Sequence, residues 1–108
     1  MILIITGGRD YKDYAHVKKT LDMFKIDKII QGGANGADFL ARRYAEENNI
    51  PCVTYKADWE LYGRSAGPKR NEKMLRENRE ATLIAFKGGK GTASCIKIAE
   101  ELNMMRIC

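Results

Sequence analysis

The stretch IIQGGANGADFLARRYAEENNI, residues 29–50, decides how the chain is read. Ile29 and Ile30 close a short apolar run of strand type. Gly32, Gly33 and Gly36 interrupt it. Ala37, Leu40, Ala41, Tyr44 and Ala45 then recur at helical spacing, so a helix follows that ends near Asn48-Asn49. A second stretch, IAFKGGKGTASCIKIAEELNM at 84–104, runs in the same order and closes on the same Ala-Glu-Glu-x-Asn. Two equivalent units would set two glycine loops at one edge of a sheet. Two unrelated strand-to-helix units also look like this, and the residues leave both readings open.

The same alternation continues outward. ILIIT (2–6) reads as a buried strand, and Tyr14, Val17, Leu21 and Phe24 place a helix over about 12–24. DKIIQ (27–31) is the second strand and PCVTY (51–55) the third, with Pro51 at its start, where proline is tolerated. Residues 56–67 carry no regular pattern. A helix over 68–79, a strand at ATLIAF (81–86), a helix over 92–102 and a short last strand in MMRIC (104–108) complete the chain. Strands alternating with helices predict an α/β fold: a single Rossmann-like three-layer domain over 1–108, with a five-stranded, mainly parallel sheet. The expected strand order is 3-2-1-4-5, which puts the reversal point between the first and fourth strands.

Composition narrows the function. The chain has 108 residues, 44% hydrophobic and 31% charged, with two prolines, the make-up of an ordinary globular domain. No apolar run reaches the length of a membrane span, and MILIIT lacks the basic flank of a signal peptide. Cys52, Cys95 and Cys108 form no CxxC pair, which fits packing thiols in a reducing cytoplasm. One histidine, His16, leaves no His-based metal site, and it lies far in sequence from Ser65 and Ser94, so a Ser-His-Asp centre is not expected.

The glycines carry the functional argument. Gly7, Gly8, Gly32, Gly33, Gly36, Gly88, Gly89 and Gly91 all follow the first, second and fourth strands. They therefore fall at strand C-terminal ends, the edge where open α/β sheets bind ligands. Glycine lets backbone amides approach a ligand, and the helix that follows adds free amides and the positive end of its dipole. Phosphate is the expected guest. Tight turns explain a single glycine pair; three such loops on one edge ask for more. The pattern is no GxxxxGK[ST] P-loop. It also lacks a strict GxGxxG and the acidic residue that would hold a ribose, since DKIIQG ends its strand in Gln31.

Residues 63–79, GRSAGPKRNEKMLRENR, hold six basic residues against two acidic ones, a surplus of four in a chain of net charge +5. Arg64, Lys69 and Arg70 sit near the expected helix start, where cations oppose the dipole, and a bound anion would reconcile the two. Lys73, Arg76 and Arg79 read as a solvated helix face. Trp59 and Tyr62, just before, are placed to stack on a base, to act as a lid, or to pack in the core.

In order and spacing, TGGRD, GGANGADFLA, ADWELYGRSAGPKRNEKM and FKGGKGT resemble the SLOG superfamily, in particular its small stand-alone YpsA-related (YspA-like) branch. The likeness spans nearly the whole chain. It implies a Rossmann-like sheet and a pocket for a nucleotide or nucleotide-derived ligand, of NAD or ADP-ribose type or a nucleoside monophosphate. It also implies phosphate contacts at Gly32, Gly33, Gly36, Gly88, Gly89, Gly91 and Thr92, and polar pocket residues at Asp38, Asp58, Arg64 and Arg70. Gly7, Gly8 and Arg9 of TGGRD, Trp59, and Asn71 of the KRN run complete the expected ligand-binding set. No metal and no separate cofactor are expected. The resemblance further implies pairing into homodimers.

More distantly, the chain is similar to the LOG-type phosphoribohydrolases, whose PGGxGTxxE motif carries a catalytic glutamate. Here the run is KGGKGTASC (87–95), with Lys87 at the proline and Cys95 at the glutamate. A thiol cannot meet oxocarbenium-like charge or activate water as a carboxylate does. Asp38 and Asp58 are the candidate substitutes. The leading expectation is a cytoplasmic nucleotide-binding or sensing module. The alternatives are a hydrolase acting on an N-glycosidic or phosphate bond, and a nucleic-acid binder suggested by the basic stretch and a pI near 9.2.

Overall fold

Strand β1 (Ile2–Thr6) has Leu3, Ile4 and Ile5 without solvent exposure, so it is covered on both faces. Side chains alternate along a strand. Leu3 and Ile5 enter one core with Val17, Leu21, Ile29, Leu40 and Tyr44. Ile4 enters the other with Ile30, Met74, Leu75, Leu83, Cys95 and Ile98. Two cores on either side of one sheet are the three-layer arrangement that alternating strands and helices predict.

The structure is a computed structural model that describes residues 1–107. After β1 come α1 (Tyr14–Leu21), β2 (Lys28–Gln31), α2 (Ala37–Glu47), β3 (Cys52–Thr54), α3 (Trp59–Tyr62), a 3₁₀ turn (Gly63–Ser65), α4 (Ala66–Arg76), β4 (Thr82–Ala85), α5 (Lys90–Glu101) and β5 (Arg106–Ile107). The sheet order is β3-β2-β1-β4-β5, the expected 3-2-1-4-5, and every pairing in it is parallel. Helices α1 and α2 cover one face, and α4 and α5 the other. The chain reverses its direction of travel across the sheet between β1 and β4. Among the described residues no helix is long and apolar enough to cross a membrane.

Several boundaries differ from expectation. Helix α1 is shorter than 12–24: Asp13 caps it by accepting from the His16 amide at 3.0 Å, and the chain turns at Asp22, so Phe24 reaches the core from a turn. His16 is exposed, edge-on to Phe86. The stretch 56–67 is not irregular throughout but holds α3, the 3₁₀ turn and the start of α4. Pro68 lies inside the first turn of α4, where its missing N–H costs no intrahelical bond. Helix α5 begins at Lys90, two residues early, so Gly91 is helical. The last strand is Arg106–Ile107, and its expected end, Cys108, lies outside the described residues.

Candidate functional site

The turns after β1, β2 and β4 pack on one another at the C-terminal edge of the sheet. The Gly8 amide donates to Lys87 O at 2.9 Å, and Gly8 O accepts from Tyr11 N at 3.2 Å and Ala37 N at 3.1 Å. A Cβ on Gly7 would stand 2.5 Å from Ala37 Cβ, and one on Gly88 2.6 Å from Gly8 N. Gly36 has φ +76°, and a Cβ there would strike Gly8 O and Arg9 O. At Gly7, Gly36 and Gly88 loop-on-loop packing by itself demands glycine, and at Gly8 a Cβ would stand tight against Lys87 O at 3.0 Å. At Gly89 and Gly91, by contrast, a Cβ would meet nothing within 4 Å.

Beside the turns opens a cleft of about 950 Å³, and next to it a recess of about 470 Å³. Of the residues singled out from sequence, Gly7, Gly8, Arg9, Gly32, Asp38, Trp59, Arg64, Arg70, Asn71, Gly88, Gly89, Gly91 and Thr92 line the cleft. Gly33 lines the recess alone. Gly36 and Asp58 line neither. The Asp58 carboxylate accepts from Leu61 N at 3.1 Å as the cap of α3.

In the loop after β2 the first three amides, of Gly32, Gly33 and Ala34, are committed internally. Asp38 Oδ2 accepts from Gly32 N and from Ala34 N, each at 3.2 Å, while Gly33 N donates to Gln31 Oε1 at 2.6 Å. Asp38 is only 7% exposed. Burial pushes its carboxyl above the usual carboxylate range, against the pull of the Ala34 amide, Arg70, the Gly32 amide and Arg9.

Arg70 points inward from α4. It donates to Gly32 O, to Tyr55 O at 3.4 Å and, through Nε, to Asn71 Oδ1 at 2.8 Å. Buried Asn71 in turn donates to Gly91 O at 3.4 Å. These two residues thus tie the second glycine loop to the start of α5. Trp59 is half-exposed, with the Arg9 guanidinium 5.7 Å from its ring centre, and Lys69 lies 4.9 Å over Tyr62. Trp59 is therefore a wall of the cleft and not a core residue.

The start of α5 is arranged differently. Its cap is Gly89, and no side chain bonds its first-turn amides. Thr92 is buried, yet its Oγ1 has no hydrogen-bond partner; no other buried side-chain N or O among the described residues is left so. That hydroxyl lies against Gly88, in the turn leading into the helix. Cys95, one turn on, is buried in the core, where burial pushes its thiol up to about 11 against the opposing pull of neighbouring Thr6 and Arg70. A neutral core thiol cannot take over a catalytic glutamate's work.

Sequence reasoning did not single out Tyr11, Lys90 and Ser94 of the cleft, or Asn35 and Lys56 of the recess. All but Lys56 stand within three residues of a loop glycine, the signal that was there to use. Lys56 lines the recess only because β3 lies beside β2, a fact of topology.

The model of the family described as YspA, cpYpsA-related SLOG matches residues 1–62. The Gene 61 protein of Mycobacterium phage D29 is 34% identical over 114 residues, an alignment that spans 94% of this chain and 90% of that protein. A match over more than half the chain, and a relative aligned almost end to end, show that the chain belongs to the YspA, cpYpsA-related SLOG family.

Proposed function

We propose that the chain binds a phosphorylated nucleoside or a nucleotide-derived ligand, with a phosphate at the start of α5 and a ring against Trp59. The observation that carries this reading is the buried, unpartnered Thr92 hydroxyl beside the uncapped amides of α5. Buried polar groups are ordinarily paired, and an orphan at a helix start suits an anion that supplies the missing acceptor. The helix end adds about 0.3–1 kcal/mol, or ~2 when partly buried. Arg9, Arg64, Lys87 and Lys90 around the cleft favour the same charge. Membership of a SLOG family supports a nucleotide-related role.

One observation favours a processing reading as the second. Asp38 is a carboxyl lining the cleft whose burial pushes it above the usual carboxylate range, the direction that suits a proton donor. Incubating the protein with NAD, ADP-ribose and nucleoside monophosphates, while following binding by calorimetry and products by chromatography, separates the two. Binding predicts saturable heat with intact ligand. Released base or ribose phosphate would move the assignment to hydrolysis, and no heat with any of them would remove both.

A further inference from the structure

The two glycine loops are alike in sequence but differ in charge at the first turn of the helix that follows. Setting Ala45-Glu46-Glu47 opposite Ala99-Glu100-Glu101 aligns the two helices and puts Asp38 opposite Thr92, with the glycine pairs Gly32-Gly33 and Gly88-Gly89 two residues out of step. Both residues stand in the first turn of their helices, α2 and α5. At α2 the Asp38 carboxylate accepts from two loop amides, so the chain already supplies a negative charge there. At α5 the Thr92 hydroxyl is uncharged, buried and unpartnered. The two helix starts flank the same glycine: Ala37 N donates to Gly8 O, and Gly88 packs on Gly8 N. Thr92 and Asp38 line the same cleft, so a ligand with its phosphate at α5 shares that cavity with Asp38. Only Oδ2 of Asp38 is taken by protein donors, so Oδ1 remains as an acceptor on a residue that lines the cleft. A second phosphate there would face a carboxylate, whereas a hydroxyl would find a charged acceptor.

We propose that the α2 loop is not a second phosphate cradle but the sugar-recognition half of the site. One phosphate sits at α5, and a hydroxyl of the attached sugar donates to Asp38 Oδ1, so the ligand is a ribosyl monophosphate unit. This rests on the reading that the α5 end holds the phosphate. It gives a reason why the two first turns differ in charge: two phosphate cradles would need two uncharged first turns.

Calorimetry on the full chain with adenosine 5′-monophosphate, its 2′,3′-dideoxy analogue and inorganic phosphate tests it. The wild type should bind the monophosphate about tenfold more tightly than the dideoxy analogue, as one charge-assisted hydrogen bond allows. Asp38→Asn keeps a carbonyl oxygen for Gly32 N and Ala34 N but puts a donor where Oδ1 was. It should lose that discrimination while binding inorganic phosphate no more weakly than the wild type, since a negative charge has left the cleft. Equal binding of the two nucleotides by the wild type overturns the sugar assignment and leaves the phosphate reading standing. The same follows if discrimination survives in Asp38→Asn. Failure of all three probes to bind the wild type overturns both. The wild-type comparison decides the matter even if Asp38→Asn does not fold.

Discussion

Gly36 and Gly91 differ in what a methyl group would meet. At Gly36 the backbone is left-handed, φ +76°, and the added carbon would run into the carbonyls of Gly8 and Arg9. Gly36→Ala should cost more than about 2 kcal/mol, since the unfavourable conformation and a contact with backbone that cannot swing away act together. At Gly91 the residue is helical and its surroundings are open. Gly91→Ala should stabilise the fold by on the order of 0.5 kcal/mol, through reduced freedom of the unfolded chain. Urea denaturation of the two variants reads the difference. A glycine that weakens its helix and packs on nothing calls for another reason, and the neighbouring cleft supplies one.

At the scale of the element, α4 turns two consecutive polar residues inward and leaves the rest of its charge outside. Arg70 bonds to Gly32 O, Tyr55 O and Asn71, whereas Arg76 is exposed and pairs with Glu72 at 3.2 Å on the same helix. Arg70→Ala should therefore lower stability by about 2 kcal/mol, because hydrogen bonds from a charged group are lost and loop carbonyls are left without their donor. Arg76→Ala should cost under ~0.5 kcal/mol, as exposed helix pairs do. Thermal or urea unfolding of the two variants checks this; equal small effects would mean the Arg70 bonds contribute little. The basic run of residues 63–79 is legible in the sequence, but the division of labour within it is not. Which of two neighbouring cations faces inward depends on the rotation of α4 about its axis, and that rotation is set by Met74 and Leu75 in the core.

For the whole molecule, the net charge of +5 is spread over several surfaces. Arg70 is turned to the loops, Arg64 lines the cleft, and Lys18, Arg42, Arg43, Arg76 and Arg106 are held in surface ion pairs. A ligand held through one phosphate releases few counterions. Affinity for a nucleoside monophosphate should then fall only about threefold between 50 and 200 mM salt. A single strand neutralised at six phosphates would lose roughly three-hundredfold over the same range, and more with further contacts. Titrations of a mononucleotide and of a single-stranded oligonucleotide at the two salt concentrations decide between a cleft-bound small molecule and a strand on the basic surface.

The alternation of apolar runs and helical faces by itself determined the three layers, the parallel sheet and its order. Burial on both faces keeps β1 apolar as far as Thr6, and parallel strands need helical crossovers. It also determined that the glycines gather at one edge, because each follows a strand end. Only the tertiary structure decided what each glycine is for. Gly8, Gly36 and Gly88 answer to backbone of neighbouring loops and Gly7 to the Ala37 and Phe86 side chains, whereas Gly89 and Gly91 answer to open space. It likewise moved Asp58 out of the cleft and brought Asp38 to close the α2 loop on itself. Spacing along a chain reports which residues share an element. Which amides are spent inside the protein, and which stay free for a ligand, depends on contacts between segments tens of residues apart.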